Sequence, residues 1–172
     1  MASSYDITQY LLDKSNIHDT VIKVPLYYDT RNIEGCRNEV YAPEILVDYT
    51  SLLGGEPFTV SRDEWVDRID AIMKGFETCQ HITSSVVVDL PQPTPNATRP
   101  DKASVLAQVN GNLIGKGSPD MTMNGGMLEA ELTRFPDLEK QGLNPWRISK
   151  YKVIKRWETG NAAVLDHAKK NI

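Results

Sequence analysis

The chain has 172 residues, 40% of them hydrophobic and 24% charged, which are the proportions of one ordinary globular domain rather than a disordered segment. Lys and Arg number 19 against 23 Asp and Glu, so a net charge of −4 offers no basic field to a phosphate backbone and excludes nucleic acid as the expected partner. No apolar run approaches the ~18 residues of a membrane span.

Cys36 and Cys79 are too few and too far apart for a disulfide framework or a paired-cysteine zinc site, so a reducing, cytoplasmic setting is expected. Met1-Ala-Ser-Ser-Tyr-Asp6 has neither the basic nor the apolar region of an export signal. Without one, the glycosylation pattern at Asn96-Ala-Thr98 reads as loop sequence.

In chain order, residues 5 to 13 read as a short helix carrying Ile7, Tyr10 and Leu11 on one side, and a second helix is expected after Asp19. Pro25 would clash with the Val21 carbonyl in a straight helix, so a kink or a restart is predicted there. Gly35 and Pro43 bracket another short helix, and residues 44 to 49 read as a strand ending near Thr50. Ser61-Arg-Asp-Glu64 is a capping box, followed by Trp65, Ile69, Ile72, Met73 and Phe76 at helical spacing. From Cys79 the period changes to two. Strands are predicted over 81–90, 103–114, 121–135 and 146–154, with a proline-rich connection from Pro91 to Pro100 and a tighter one from Gly115 to Pro119. Helices first and an antiparallel meander afterwards make an α+β fold, with helices on one face of a strongly curved sheet. A single domain is expected over 1–172, with residues 1–18 as an N-terminal extension.

Polar residues on the sheet are where function would show. On the third meander strand Met127, Glu129 and Glu131 share one face, and Leu128, Ala130 and Leu132 the other. If the glutamates point inward, repulsion and desolvation would raise at least one carboxyl toward neutrality, making it a proton donor or acceptor. The alternation alone favours the opposite face as core, since glutamate is rarely buried without a partner. Gly125-Gly126 leaves the parity open, because a bulge there could re-aim the strand. His81, one of three histidines, starts a strand on the side of Thr83 and Ser85.

Several segments together resemble scytalone dehydratase and, more loosely, the SnoaL-like members of the nuclear-transport-factor-2-like superfamily. The carriers are Tyr28-Asp29, Tyr41-Ala-Pro43, Asp48-Tyr-Thr-Ser51, Gln80-His81, and Trp146-Arg-Ile through Lys152 to Arg156-Trp157, spanning roughly Val21 to Trp157. The resemblance implies a cone-shaped α+β barrel. It also implies a cofactor-free, metal-free lyase or isomerase of the fungal and bacterial group that dehydrates, cyclises, rearranges or opens epoxides in polyketide and terpenoid natural products. In scytalone dehydratase two tyrosines hold a water on the substrate carbonyl and a histidine handles the proton. Their matches here are Tyr28, Tyr49 and His81, with Asp29 beside the first tyrosine. A serine and an asparagine that position substrate align with Glu129 and Glu131, so the resemblance, against the alternation, places these glutamates inside the cone. A second cavity histidine has no counterpart near Gly115 and Lys116. Gln108, Asn110 and Asn112 fall where relatives often carry an acid, and with Met127 they are the expected substrate contacts. Residues 160–172 are expected to form a helix or lid, with Val164 and Leu165 over the cavity mouth. The resemblance further implies a dimer or trimer with a small-molecule substrate as partner. Epoxide opening, which uses an Asp-Arg-Asp arrangement, and a non-catalytic binding module of the same fold are the alternatives.

Overall fold

The computed structural model describes residues 5–172. Its first element is the 23-residue helix α1 (Ile7–Asp29), whose N-terminus is capped by the Asp6 carboxylate accepting from the Gln9 N–H at 2.9 Å. One helix replaces the expected two and runs through Pro25. Burial of Ile17, Val21, Val24 and Tyr28, at roughly 1.5–3 kcal/mol per large apolar side chain, outweighs the roughly 3 kcal/mol that an interior proline costs. Residues 7–18 are therefore half of a core helix rather than an extension, with Tyr10, Asp13 and Ile17 buried. Residues 1–4, which open both the extension and the segment read for an export signal, lie outside the described residues.

A short helix α2 (Ile33–Gly35) and a π-helical turn at Cys36–Val40 lead to β1 (Tyr41–Asp48), α3 (Thr50–Leu53), β2 (Phe58–Ser61) and α4 (Arg62–Met73). Ser61 caps α4 as its motif predicts, its hydroxyl accepting from the Glu64 N–H at 3.3 Å. The meander is β3 (Phe76–Asp89), β4 (Lys102–Gly115), β5 (Met121–Arg134) and, after the short helix α5 (Pro136–Glu139), β6 (Trp146–Gly160). A 3-10 turn at Ala162–Leu165 and α6 (Asp166–Asn171) end the chain. The six strands lie in the order β2-β1-β6-β5-β4-β3, antiparallel except for β1 beside β6. The expected α+β architecture is thus observed, as helices packed against a curved, mostly antiparallel sheet. No helix among the described residues is long and apolar enough to cross a membrane.

Strand register decides which side chains enter the cone. On β4 the buried residues that pair with β5 are Ala103, Val105, Ala107, Gly111 and Leu113, and their partners are Leu132, Ala130, Leu128, Asn124 and Thr122. This ladder has no break, so β5 keeps one parity from Thr122 to Leu132. The bulge at Gly125-Gly126 does exist, but its extra residue is Arg156 on β6, which leaves the β5 faces as they were. Glycine is required at both positions by close approach. A Cβ on Gly126 would lie 1.9 Å from the Ile154 carbonyl oxygen, and one on Gly125 would lie 2.4 Å from the Trp157 indole.

Candidate active site

Two adjacent lobes open inside the cone, of about 60 and 80 Å³, both bordered by Tyr28, Tyr49, Leu52, His81 and Leu113. The first lobe continues between Trp65, Ile69 and Phe76 toward Leu165, Ala168 and Ile172 of the C-terminal segment. The second continues past Thr83, Gly111 and Asn124 to Tyr151. Together they compare with the roughly 150 Å³ cavity that takes up benzene in an engineered core.

Asp29 is the last residue of α1, where the helix dipole disfavours a negative charge. His81 offsets this: its ring Nδ1 lies 2.6 Å from Asp29 Oδ1, and its backbone N–H donates to Oδ2 at 2.7 Å. Burial pushes the Asp29 carboxyl up, but the bonds and charge of His81, with a contribution from Cys79, bring the net value below its ordinary level. An ionised carboxylate only accepts, so Nδ1 carries a proton, and in the neutral ring Nε2 on the far side is left with a lone pair. Gly111 sits opposite His81 on β4, with His81 Cδ2 3.4 Å from where its Cβ would be, so the neighbouring strand leaves the imidazole room.

Three phenols, Tyr28, Tyr49 and Tyr151, and the Trp65 indole border the other side of the lobes, with a fourth phenol, Tyr41, behind them. Asp48 fixes the turn after β1 by accepting from the Thr50 N–H at 3.1 Å and the Thr50 hydroxyl at 2.7 Å, which sets Tyr49 against Tyr151 in a stacked pair 6.0 Å apart. Tyr28 hydrogen-bonds Tyr41 and meets the His81 ring edge-on at 6.4 Å. Burial pushes the hydroxyls of Tyr28, Tyr41, Tyr49 and Tyr151 well above the ordinary phenol range, so all four are protonated donors at neutral pH.

The glutamates require a correction. Glu129 and Glu131 lie on the outer face, paired with Lys152 at 3.0 Å and Lys150 at 2.9 Å across the β5–β6 ladder. Their side chains are 45% and 51% exposed, so neither can be a desolvated acid. The opposite parity, with Leu128, Ala130 and Leu132 wholly or almost wholly buried, is the core face. Met127 is likewise outside, with its sulfur near Arg156. Gln108, Asn110 and Asn112 alternate with the inward residues of β4 and so belong to its outer face; Asn110 alone also borders the second lobe. Asn112 donates to the Gln80 carbonyl oxygen at 3.4 Å. The polar residues that β5 does turn inward are Thr122 and Asn124, and the Asn124 amide reaches to 3.3 Å from the Cβ position of Gly111. Of the two expected lid residues Leu165 lines the first lobe, while Val164 packs beside Gly115.

Asp29, Cys79 and His81 present possible ligand atoms within 4.8 Å of one another. Burial and then the neighbouring Asp29 push the Cys79 thiol up to about 11, and Nδ1 of His81 is engaged by Asp29, so these groups are satisfied mainly by each other. Two arginines of the sheet are engaged away from the lobes: Arg134 pairs with Asp101 and Glu139, and Arg147 donates to the carbonyls of Asn38, Asn144 and Trp146.

Solved structures share this architecture at low sequence identity. The Kfla4162 protein from Kribbella flavida is 19% identical, with a TM-score of 0.74 over 90% of this chain and 97% of that one. A candidate scytalone dehydratase from Novosphingobium aromaticivorans is 13% identical, with a TM-score of 0.68 over 88% and 89%. Hexachlorocyclohexane dehydrochlorinase LinA-type3 from Novosphingobium barchaimii is 12% identical, with a TM-score of 0.68 over 89% and 92%. No curated protein matches the chain by sequence. The model of the SnoaL-like domain matches residues 9–152, and the chain belongs to that family.

Proposed function

We propose that this protein is a cofactor-free lyase or isomerase in which His81, oriented by Asp29, moves a proton on a compact oxygenated ring held by Tyr28 and Tyr49. The observation that carries this reading is the Asp29–His81 pair, whose remaining ring nitrogen meets no hydrogen-bond partner among the described residues and whose imidazole borders both lobes. In the proposed step Nε2 takes a proton from the carbon beside a carbonyl, and the electrons move onto the carbonyl oxygen, where phenol O–H groups stabilise the charge. Among the described residues no Asp or Glu side chain borders the lobes, so the same imidazolium returns the proton. Delivered to a leaving hydroxyl it releases water; delivered to another carbon it isomerises the substrate.

The lobe volumes favour a single-ring substrate, and a monocyclic polyketide- or terpenoid-type compound has the required mixture of apolar body and oxygen. Proteins of the same fold described as a dehydratase and a dehydrochlorinase support elimination as the reaction class.

The test is a panel of monocyclic β-hydroxy ketones, with loss of water followed by the absorbance of the conjugated product. Turnover that survives exhaustive dialysis against EDTA and disappears in His81→Ala is expected. A panel that binds in the cone without turnover, or turnover unchanged in His81→Ala, would overturn the reading in favour of a binding module or a different base.

A further inference from the structure

Behind the cavity, two phenols meet. Tyr28 borders both lobes, and its hydroxyl bonds to that of Tyr41, which has no exposed surface and borders neither. Either oxygen could be the donor in isolation, so the surroundings decide. Among the described residues Tyr28 is the hydrogen-bond partner of the Tyr41 hydroxyl. If Tyr28 donated, the Tyr41 proton would be left without an acceptor inside the core, which costs the full desolvation of that hydroxyl.

The nearby indole cannot relieve that cost. Trp65 is fully buried, packs edge-on to Tyr41 at 6.5 Å, and has an Nε1–H that meets no hydrogen-bond partner. Indole nitrogen only donates, so it offers the Tyr41 proton nothing, and it favours an arrangement that keeps a Tyr41 lone pair available. The opposite direction serves every group. Tyr41 gives its proton to Tyr28, and Tyr28 gives its own toward the lobes, where the neighbouring Tyr49 hydroxyl or the oxygen of a bound molecule accepts it.

We propose that Tyr41 is a positioning residue that donates to Tyr28 and so turns the Tyr28 O–H into the cavity, which makes this site selective for an apolar ring carrying one acceptor oxygen of carbonyl, enolate or phenolate type. Donors in series polarise one another, so the bond from Tyr28 strengthens most as the oxygen gains charge. The inference rests on the reading of these lobes as the substrate site, and it adds the direction of the donor chain and a residue that never touches the ligand.

The probe is 4-nitrophenol, whose absorbance separates phenol from phenolate, with 4-nitrotoluene as the same shape without the oxygen. Wild-type protein should bind the phenolate and lower the apparent pKa of the bound probe. Tyr41→Phe should weaken phenolate binding about tenfold, near the value of one charge-assisted hydrogen bond, while 4-nitrotoluene binding stays within about twofold. Tyr28→Phe should do at least as much, and the double variant no more than Tyr28→Phe alone, because the two hydroxyls act as one chain. An equal loss for both probes, additive effects, an unaffected Tyr41→Phe, or a wild type that does not bind the phenolate would each overturn the proposal.

Should Tyr41→Phe fail to fold, wild-type protein labelled with ¹³C at the tyrosine Cζ gives the same answer. The Tyr41 signal should move together with that of Tyr28 when 4-nitrophenolate binds, and a Tyr41 signal that stays fixed would contradict the relay. Binding of this probe needs no turnover. Turnover without phenolate selectivity would therefore remove the relay and leave the lyase reading intact, and the reverse result would do the opposite.

Discussion

Helix α1 carries two carboxylates into the interior, and they have opposite fates. Asp13 is wholly buried at one end of the cone, where Arg99 donates to both its oxygens at 2.8 and 2.6 Å and the Trp146 indole N–H donates at 2.9 Å. Arg99 then reaches Glu139 at 2.7 Å, and Glu139 meets Arg134. Asp29, at the other end of the helix, has a histidine as its hydrogen-bonded partner, which lies partly open to the lobes. The first cluster uses permanently charged arginine and leaves no polar atom of Asp13 over; it closes the cone. The second uses a group that can change its charge and leaves one ring nitrogen free for a ligand. A buried ion pair signals chemistry when one partner titrates and keeps an unused atom facing a cavity.

Substitutions can break this contrast from either side. The largest effect expected is from His81→Ala, which should lower turnover by roughly 10²–10⁴-fold while leaving the melting temperature near that of wild type. Asp13→Asn should show the reverse pattern: breaking a buried pair by removing one partner costs about 3–5 kcal/mol, read as a lower urea midpoint, with the remaining folded protein still active.

Asp29→Asn should fall between them, with reduced turnover and an altered acid limb in urea titrations. The Asp29 carboxyl is held below its ordinary pKa, so its contribution to stability is present above that ordinary value and is lost as pH falls through the lower native one. The asparagine variant should lack that component, and an unchanged acid limb would count against the pair. At the small end, Glu131→Gln should change neither turnover nor stability beyond about 0.5 kcal/mol, as expected of an exposed ion pair. A large loss of turnover in Glu131→Gln would return the glutamate to the site.

Much of this was legible in the residues, and the exceptions have identifiable causes. The capping box at Ser61 and the strand alternation gave local, short-range signals, and the observed elements follow them within a few residues. The long α1 was not legible because the burial that compensates Pro25 comes from distant strands. β2 was missed because its four residues are too few to show a period. Tyr28, Asp29, Tyr49 and His81 could be placed by resemblance, and the structure brings Tyr28, Tyr49 and His81 around the same lobes with Asp29 bonded behind the imidazole.

Glu129 and Glu131 lie outside, against the resemblance and with the alternation of β5. Leu128, Ala130 and Leu132 already marked the core face, and counting back by twos through Gly126 reaches Asn124 and Thr122, the polar residues that do face inward. The same count on β4, from Ala103 to Leu113, puts Gln108, Asn110 and Asn112 outside. Tyr41 had no comparable signal, since its partner Tyr28 lies on another element and the contact exists only once the helix is laid on the sheet.

The most direct test of the central claim is ¹⁵N NMR of the imidazole rings across a pH titration, made tractable by the presence of three histidines in the chain. The account predicts that neutral His81 carries its proton on Nδ1, with Nε2 bare, and that this preference is lost in Asp29→Asn. A neutral His81 protonated on Nε2 would leave the cavity without a base and contradict the account.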